Sequence, residues 1–388
     1  MPTNIDDLAA LTQEEMNEVR DIIVPMSNND ENGDGIPDFD LDNAICYCAD
    51  VQPRRLFNDT SERFIELTAL LNTMEPHLKA GKERFRLEHK GVAYRAEIGE
   101  RPHGSDITLR ALPKETPLLN KLHFQIPAVR TILNGSALLN GGLVIISGQN
   151  GNGKSTTMAA TVATRLGKHG GHCNTVEDPI ELPLDGIWKG ERVGYCAQRP
   201  ADRGLLGAEN KEGGYKRSLY KAARQFPSFT GGGTILMIGE IRDEETAIEA
   251  INAAVAGHLV LSTIHSPSAA AAVDRLVTLA TRKQGVSVES IRELVANHLT
   301  GVIHQRLAYD TKNPMGPDWF DLAVIKNDVL MRDERDGTKS KVAMAIMDGS
   351  SGLQALSSIS AKQTANLSKL KIDDLTPNQV RDALNELS

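Results

Sequence analysis

Gly148-Gln149-Asn150-Gly151-Asn152-Gly153-Lys154-Ser155 follows the apolar run Leu143-Val144-Ile145-Ile146 and precedes Thr156-Thr157-Met158-Ala159-Ala160. An apolar strand that breaks into glycines lets the backbone turn its N–H groups inward around an anion, and a helix starting there aims its positive dipole end at the same point. The spacing is GxxxxGK[ST], in which the lysine reaches the β- and γ-phosphates of a nucleotide and the hydroxyl of Ser155 holds Mg²⁺. Gly148, Asn150, Gly151, Asn152, Gly153, Lys154, Ser155 and Thr156 are therefore the expected nucleotide contacts, with ATP and Mg²⁺ as cofactors. The alternative, a chance glycine loop, requires the strand, the lysine and the hydroxyl all to be coincidental.

Downstream, helix and strand alternate in the way that builds a parallel sheet with crossover helices. The strand Cys173-Asn174-Thr175-Val176 ends in Glu177-Asp178-Pro179-Ile180-Glu181, placing carboxylates at the edge of the sheet where α/β ligand sites lie; Glu177 is the acid expected to face the nucleotide. Thr234-Ile235-Leu236-Met237-Ile238 is a second buried strand, ending in Gly239-Glu240-Ile241-Arg242-Asp243. Glu240 is the acid expected beside Mg²⁺ and the attacking water, and it also suits the N-terminus of a helix predicted over Asp243 to Ala254. The strand from His258 to His265 carries a histidine at either end. His265 is expected beside Glu240 in a γ-phosphate-sensing or coupling role, because its strand should neighbour the one bearing that acid. The glycine- and charge-rich stretch from Leu184 to Gly233 reads as surface structure, with one helical piece around Ser218 to Gln225 and a mobile loop at Gly231-Gly232-Gly233.

Upstream, residues 1–40 read as a helix and polar linker. Thr12 and Glu15 form a capping-box pattern for a helix with Met16, Val19, Ile22 and Ile23 on one face. Asp30, Asn32, Asp34 and Asp38 around Gly35 resemble the front of a calcium loop, but Leu41 stands where a bidentate acid is needed, so a polar linker explains them better. Residues 41–117 read as a small α+β domain: a helix from Thr60 with Phe64, Leu67, Leu71 and Met74 inward, then alternating runs at Phe85-Arg86-Leu87, Ala93 to Ile98 and Ile107 to Arg110. Pro113 and Pro117 mark the hinge into a nucleotide-binding domain over 118–310, and residues 311–388 form a C-terminal extension.

The chain has 388 residues, with 43 Lys+Arg against 51 Asp+Glu and a net charge of -8. That length suggests two or three domains, and the acidic balance argues against nucleic acid and for protein partners. No apolar run reaches the roughly 20 residues that span a bilayer, so a cytoplasmic protein is expected. Cys46, Cys48, Cys173 and Cys196 fit reduced thiols, and Cys46-Tyr47-Cys48 lacks the second spaced pair of a zinc site.

In its ordered blocks the chain resembles the type II/IV secretion and type IV pilus ATPase superfamily, most closely its compact pilus-retraction and type IVB members. Gly148 to Ser155 matches that family's Walker A, Thr175 to Glu181 its Asp box, Ile238 to Asp243 its Walker B and Gly257 to His265 its His box. The likeness runs from about Arg84 to Leu307. Gly239 departs from it, standing where an aspartate is usual, and no match to the retraction-associated C-terminal helix follows Asp310. The resemblance implies a RecA-like domain preceded by a PAS-like one, and a homo-oligomeric ring, usually a hexamer, peripheral to the inner membrane through a membrane component of the machine. It also implies arginine fingers, for which Arg84, Arg86 and Arg110 are the candidates. A RecA-like DNA translocase and a non-catalytic nucleotide-sensing ring are the alternatives. The tail opens a last helix with Thr376-Pro377-Asn378-Gln379 and places Val380, Ala383, Leu384 and Leu387 on one face, for packing in cis or for docking to a machine component.

Overall fold

A computed structural model describes residues 19, 21–26, 38–47, 53–55, 62–81, 83–102, 104–201, 214–226, 233–282, 285, 287–308, 324–333, 340–349, 351–370 and 375–386. The chain divides into two compact units, one built from residues up to Glu115 with Pro179–Pro183, the other from Thr116–Asp178, Leu184–Tyr309 and Ala323–Ser388.

The first unit comprises β1 (Asp21–Met26), β2 (Ile45–Tyr47), β3 (Pro53–Arg55), α1 (Glu62–Asn72), α2 (Glu75–Lys79), β4 (Arg84–His89), β5 (Val92–Arg101) and β6 (Gly104–Ala111). Its strands form an antiparallel sheet in the order β3-β2-β1-β6-β5-β4. Two-residue alternation sends Val24, Met26, Phe85, Leu87, Ala96, Ile107 and Leu109 to one face. There they pack against Leu67, Leu70, Leu71 and Met74, which the three-to-four-residue spacing brings to one side of α1 and the turn after it. The strands expected at 85–87, 93–98 and 107–110 and the inward residues Leu67, Leu71 and Met74 are thus as the sequence suggests. The helix expected through Ile22 and Ile23 is not: those residues lie in β1, between β2 and β6. The run Ile22-Ile23-Val24 is β-branched, and such residues pack better in a pleated ladder than in a helix. The capping-box residues Thr12 and Glu15, the side chain of Phe64, Cys48, and Asp30, Asn32 and Asp34 of the calcium-like stretch lie outside the described residues. At its end, Asp40 accepts hydrogen bonds from the backbone and side-chain amides of Asn43, a turn-forming role.

The second unit is α/β. In chain order it holds β7 (His123–Phe124), α3 (Ala128–Leu133), β8 (Gly142–Ser147), α4 (Lys154–His169), β9 (Gly171–Val176), β10 (Gly186–Lys189), β11 (Val193–Ala197), α5 (Gly214–Arg224), β12 (Thr234–Ile238) and α6 (Glu244–Val255). There follow β13 (Leu259–Ile264), α7 (Ala269–Ala280), α8 (Val288–His298), β14 (Leu299–Ala308), β15 (Val324–Met331), α9 (Lys341–Met347), α10 (Gly352–Ser368) and α11 (Pro377–Asn385). One sheet runs β10-β11-β9-β12-β13-β8-β14-β15-β7 and is parallel from β11 to β14. Helices on both faces leave β8, β12 and β13 buried along nearly their whole length, which is why they read as unbroken apolar runs.

Two parts differ from the sequence reading. The stretch after Leu184 is not only surface structure, because β10 and β11 extend the sheet from β9. Its glycines mark close approach: a Cβ on Gly194 would stand 2.8 Å from Leu166 Cβ of α4, and one on Gly190 would stand 2.6 Å from Gly167 O. Gly231 and Gly232 lie outside the described residues. Beyond 323 the chain is no appendage: β15 pairs antiparallel with β14, and α11 buries Val380, Ala383 and Leu384 within this unit. The Thr376–Gln379 capping box is formed. Asn366 Nδ2 donates to Ala383 O at 3.3 Å, and with Val380, Ala383 and Leu384 buried the described part of the apolar face of α11 is taken up in cis; Leu387 lies outside the described residues.

Gly194→Ala should lower stability by about 1–3 kcal/mol, the usual cost of forcing a methyl group into a packed contact. Urea unfolding checks this, and an unchanged midpoint would mean that β11 and α4 are not in close contact.

Candidate nucleotide-binding site

The loop between β8 and α4 is shaped by backbone positions that L side chains avoid. Gly153 sits in the left-handed region, φ 71, as the residue before α4. Gly148 has φ 150, and a Cβ there would stand 2.4 Å from Gln305 O. Only glycine meets both demands, and the helix that follows presents its free N–H groups to the space the loop encloses. Ser155 and Thr156, in the first turn of α4, are half-buried, whereas Asn150 is exposed at the loop's tip.

Lys154 is 7 % exposed. Its Nζ donates to Gln149 O at 2.7 Å and lies 3.4 Å from His265 Nδ1. His265 Nε2 in turn lies 3.2 Å from Glu240 Oε1. An ammonium can only donate, so Nδ1 is the acceptor and the ring's proton is on Nε2, directed at the carboxylate. Burial pushes the His265 pKa down, the Lys154 charge pushes it further, and Glu240 opposes both; the ring is neutral near pH 7. The strand order produces this array, because β13 lies between β8 and β12 and its C-terminal residue falls between theirs. Thr263 Oγ1 donates to Gly239 O at 2.7 Å and Ser262 Oγ to Ile238 O at 2.9 Å, clamping β13 to the end of β12.

Glu177, at the end of β9, is buried and accepts from Gln198 Nε2 at 2.8 Å. Gly239 N donates to Val176 O, and a Cβ on Gly239 would stand 3.4 Å from Glu177 Cα. That is ordinary van der Waals contact, so the space at position 239 does not by itself require glycine. Asp243 caps α6 through Thr246 N, as its position before a helix suggests. His258, at the opposite end of β13, stacks on Phe226 and pairs with Thr234 Oγ1 at 3.0 Å; it is not brought to the site.

The three candidate arginines stand in the first unit. Arg84 pairs with Glu97 at 2.6 Å and Arg110 with Asp21 at 2.7 Å, and the Asp21 hydrogen bond holds the Arg110 pKa above its usual value. Arg86 lies opposite Arg95, and Arg95 opposite Arg110, in the ladder. Arg95, which the sequence reading missed, pairs with Glu181 at 2.6 Å. Also missed were Gln198 and three residues behind the loop: His304, whose Nδ1 is 3.1 Å from Ser147 Oγ, Gln305 and Leu307. These partners are 21 to 157 positions apart in the chain, so no local spacing announces them. Cys46, Cys173 and Cys196 are buried free thiols.

Among the described residues no group of three His, Cys, Asp or Glu side chains could hold a metal ion alone. The Ser155 hydroxyl and the Glu240 carboxylate are oxygen donors of the kind that suits a hard cation shared with phosphate oxygens. No helix among the described residues is long and apolar enough to cross a membrane.

Residues 62–365 match the family described as Type II/IV secretion system protein. The type II secretion system protein E of Klebsiella pneumoniae is 32% identical over 245 residues, 63% of this chain and 43% of that protein. The HxcR protein of Pseudomonas aeruginosa, also a type II secretion system protein, is 30% identical over 280 residues, 70% and 53%. The chain thus spans about half the length of the curated relatives it matches. Among solved structures, the pilus retraction motor PilT with bound ADP shares the fold at 23% identity and a TM-score of 0.60, covering 96% of this chain and 95% of that one. The matched residues take in the loop between β8 and α4, Glu177, Glu240 and His265, and on that match the chain belongs to the type II/IV secretion system protein family.

Proposed function

We propose that this chain binds ATP with Mg²⁺ in the loop between β8 and α4, hydrolyses it, and works as a ring-forming motor of a secretion or pilus machine. The Lys154–His265–Glu240 array across three adjacent parallel strands carries the reading. Lys154 would meet the β- and γ-phosphates, Ser155 and Glu240 would hold Mg²⁺, and the ion would supply charge neutralisation at the phosphates. Glu240, with one oxygen facing His265, would use the carboxylate to take a proton from the attacking water. As that water's oxygen bonds to the γ-phosphorus, the bond to the bridging oxygen breaks, leaving ADP and phosphate. Glu177, buried at the end of β9, would orient the same water or metal. Neutral His265 would sense the γ-phosphate through Lys154 and pass its state to Glu240.

Arginine is missing from this set. Arg84, Arg86 and Arg110 of the first unit are the finger candidates, and in a homo-oligomer, a hexamer by family resemblance, they would be supplied across chains. The two relatives by sequence described above are type II secretion system proteins, while the family's description names type II and type IV systems together, so the reading covers both machines. A type IV machine, placing the protein in the cytoplasm beside an inner-membrane component, is the narrower form of the proposal. The genes flanking this one test it, since pilin or conjugation genes and type II genes point different ways.

Lys154→Ala should abolish ATP binding in isothermal titration; unchanged affinity would sink the cradle reading. Glu177→Gln and Glu240→Gln should each keep binding and lose turnover by about 10²–10⁴-fold, the usual worth of a positioned acid or base; near-normal rates in both would remove these acids from the chemistry. Specific activity should rise with protein concentration. Mixing Lys154→Ala chains with Arg86→Ala chains should restore some sites across mixed interfaces, because a supplied arginine is worth about 10³–10⁵ in rate. Flat activity down to a proven monomer would overturn the shared site.

A further inference from the structure

A loop that turns its N–H groups inward sends carbonyl groups outward into the protein, where each needs a donor. For Asn152 the donors come from one distant strand. Gln305 Nε2 of β14 donates to Asn152 O at 2.5 Å, and Leu307 N donates to Asn152 Oδ1 at 3.2 Å. Gln305 is completely buried, and among the described residues its side-chain Oε1 has no hydrogen-bond partner. Directly across the ladder stands Asn327 of β15. It is 5 % exposed, and both its side-chain oxygen and nitrogen also lack partners. Its neighbours on the same face of β15, Ile325 and Val329, are buried and apolar.

Two adjacent amides with three unpaired polar atoms in an otherwise apolar layer are expensive to keep there. Either a small rotation of the two side chains or one bridging water pairs them with each other. Among the described residues, the side-chain hydrogen bond that leaves this pair runs from Gln305 to Asn152, at the back of the phosphate loop.

We propose that Gln305 is a positioning residue for nucleotide binding, fixing Asn152 so that the loop is formed before phosphate arrives, and that Asn327 acts behind it by orienting the Gln305 amide. The inference rests on reading the loop as a nucleotide cradle. It makes the loop's shape depend on the side chains of β14 and β15 as well as on its own glycines.

The test uses the full chain and two independent readouts. Without nucleotide, hydrogen exchange of the amides of residues 150–153 should be at least about tenfold faster in Gln305→Leu than in wild type, the worth of one hydrogen bond. Amides of β12 and β13 should not change. With Mg-ADP as the probe, Gln305→Leu should bind at least about tenfold more weakly. Asn327→Leu should lose less, and the double variant no more than Gln305→Leu alone, since the second residue acts through the first. Gln305→Glu gives a signature that a merely structural role would not. Its affinity relative to wild type should approach one at acid pH, where the carboxyl O–H can donate to Asn152 O, and fall as the group ionises. Unchanged loop exchange in Gln305→Leu, or a pH-independent ratio for Gln305→Glu, would overturn the proposal. If wild type binds no Mg-ADP, the cradle reading fails and the exchange comparison still decides the role of Gln305. If Gln305→Leu does not fold, the pH ratio of Gln305→Glu decides it.

Discussion

Lys154 carries its ammonium nearly withdrawn from water, where the Gln149 carbonyl accepts from it at 2.7 Å and a neutral imidazole lies beside it. His265 Nδ1 accepts from the ammonium and Nε2–H faces Glu240, so one ring separates the cation that would meet phosphate from the carboxylate that would act on water. Were His265 protonated, Nδ1 could no longer accept and two cations would face each other at 3.4 Å. Burial presses the ring toward neutrality, joined by the charges of Lys154 and Arg275, while Glu240 and a hydrogen bond with the Gly148 backbone press the other way. The balance leaves the Lys154 charge directed at the loop, where an anion can use it.

Everything that holds this triad follows from strand order. With β13 between β8 and β12, the three strand ends converge without any long loop having to place a side chain. Hydroxyl bonds from Ser262 and Thr263 to the carbonyls of Ile238 and Gly239 extend the clamp past the last ladder pair. The same logic serves Glu177, whose carboxylate is fixed by Gln198 and whose backbone is bracketed by Arg199 O and Ala201 N. Residues placed directly after rigid strands hold their geometry better than residues carried on long loops, and Glu177, Glu240 and His265 all stand within two positions of a strand end.

The sequence exposes what repeats locally and hides what does not. Parallel strands buried on both faces leave unbroken apolar runs, so β8, β12 and β13 could be placed from those runs, and with β12 the acid Glu240 just beyond its end. The placing of His265 beside Glu240 followed from the same reasoning, since a sheet with crossover helices brings such ends to one edge. Glycine misled where it served packing: Gly190 and Gly194 read as loop signals but let β10 and β11 close on α4. Ile22 and Ile23 misled because i, i+3 spacing can be mimicked by a β-branched run. Gln198, Gln305 and Asn327 left no local trace, since a single amide gains its meaning only from a partner brought near by the fold.

The arginines of the first unit show a cost that the sheet has to offset. Arg86, Arg95 and Arg110 are direct neighbours across β4, β5 and β6, and like charges set opposite one another destabilise a ladder. Acids are set beside them: Asp21 for Arg110, Glu181 for Arg95, and Glu97 for the adjacent Arg84, with Glu97 also 3.9 Å from Arg95. Among the described carboxylates none forms an ion pair with Arg86. These pairs are partly exposed, and exposed pairs are worth only about 0.2–1 kcal/mol, so each could be exchanged for a better anion at little cost. A row of guanidiniums held by weak, replaceable partners is poorly explained as a device for stability. Arg84 and Arg110 each hold one such pair and Arg86 none among the described residues, so the sheet carries its arginine row at a cost that the ion pairs offset only in part.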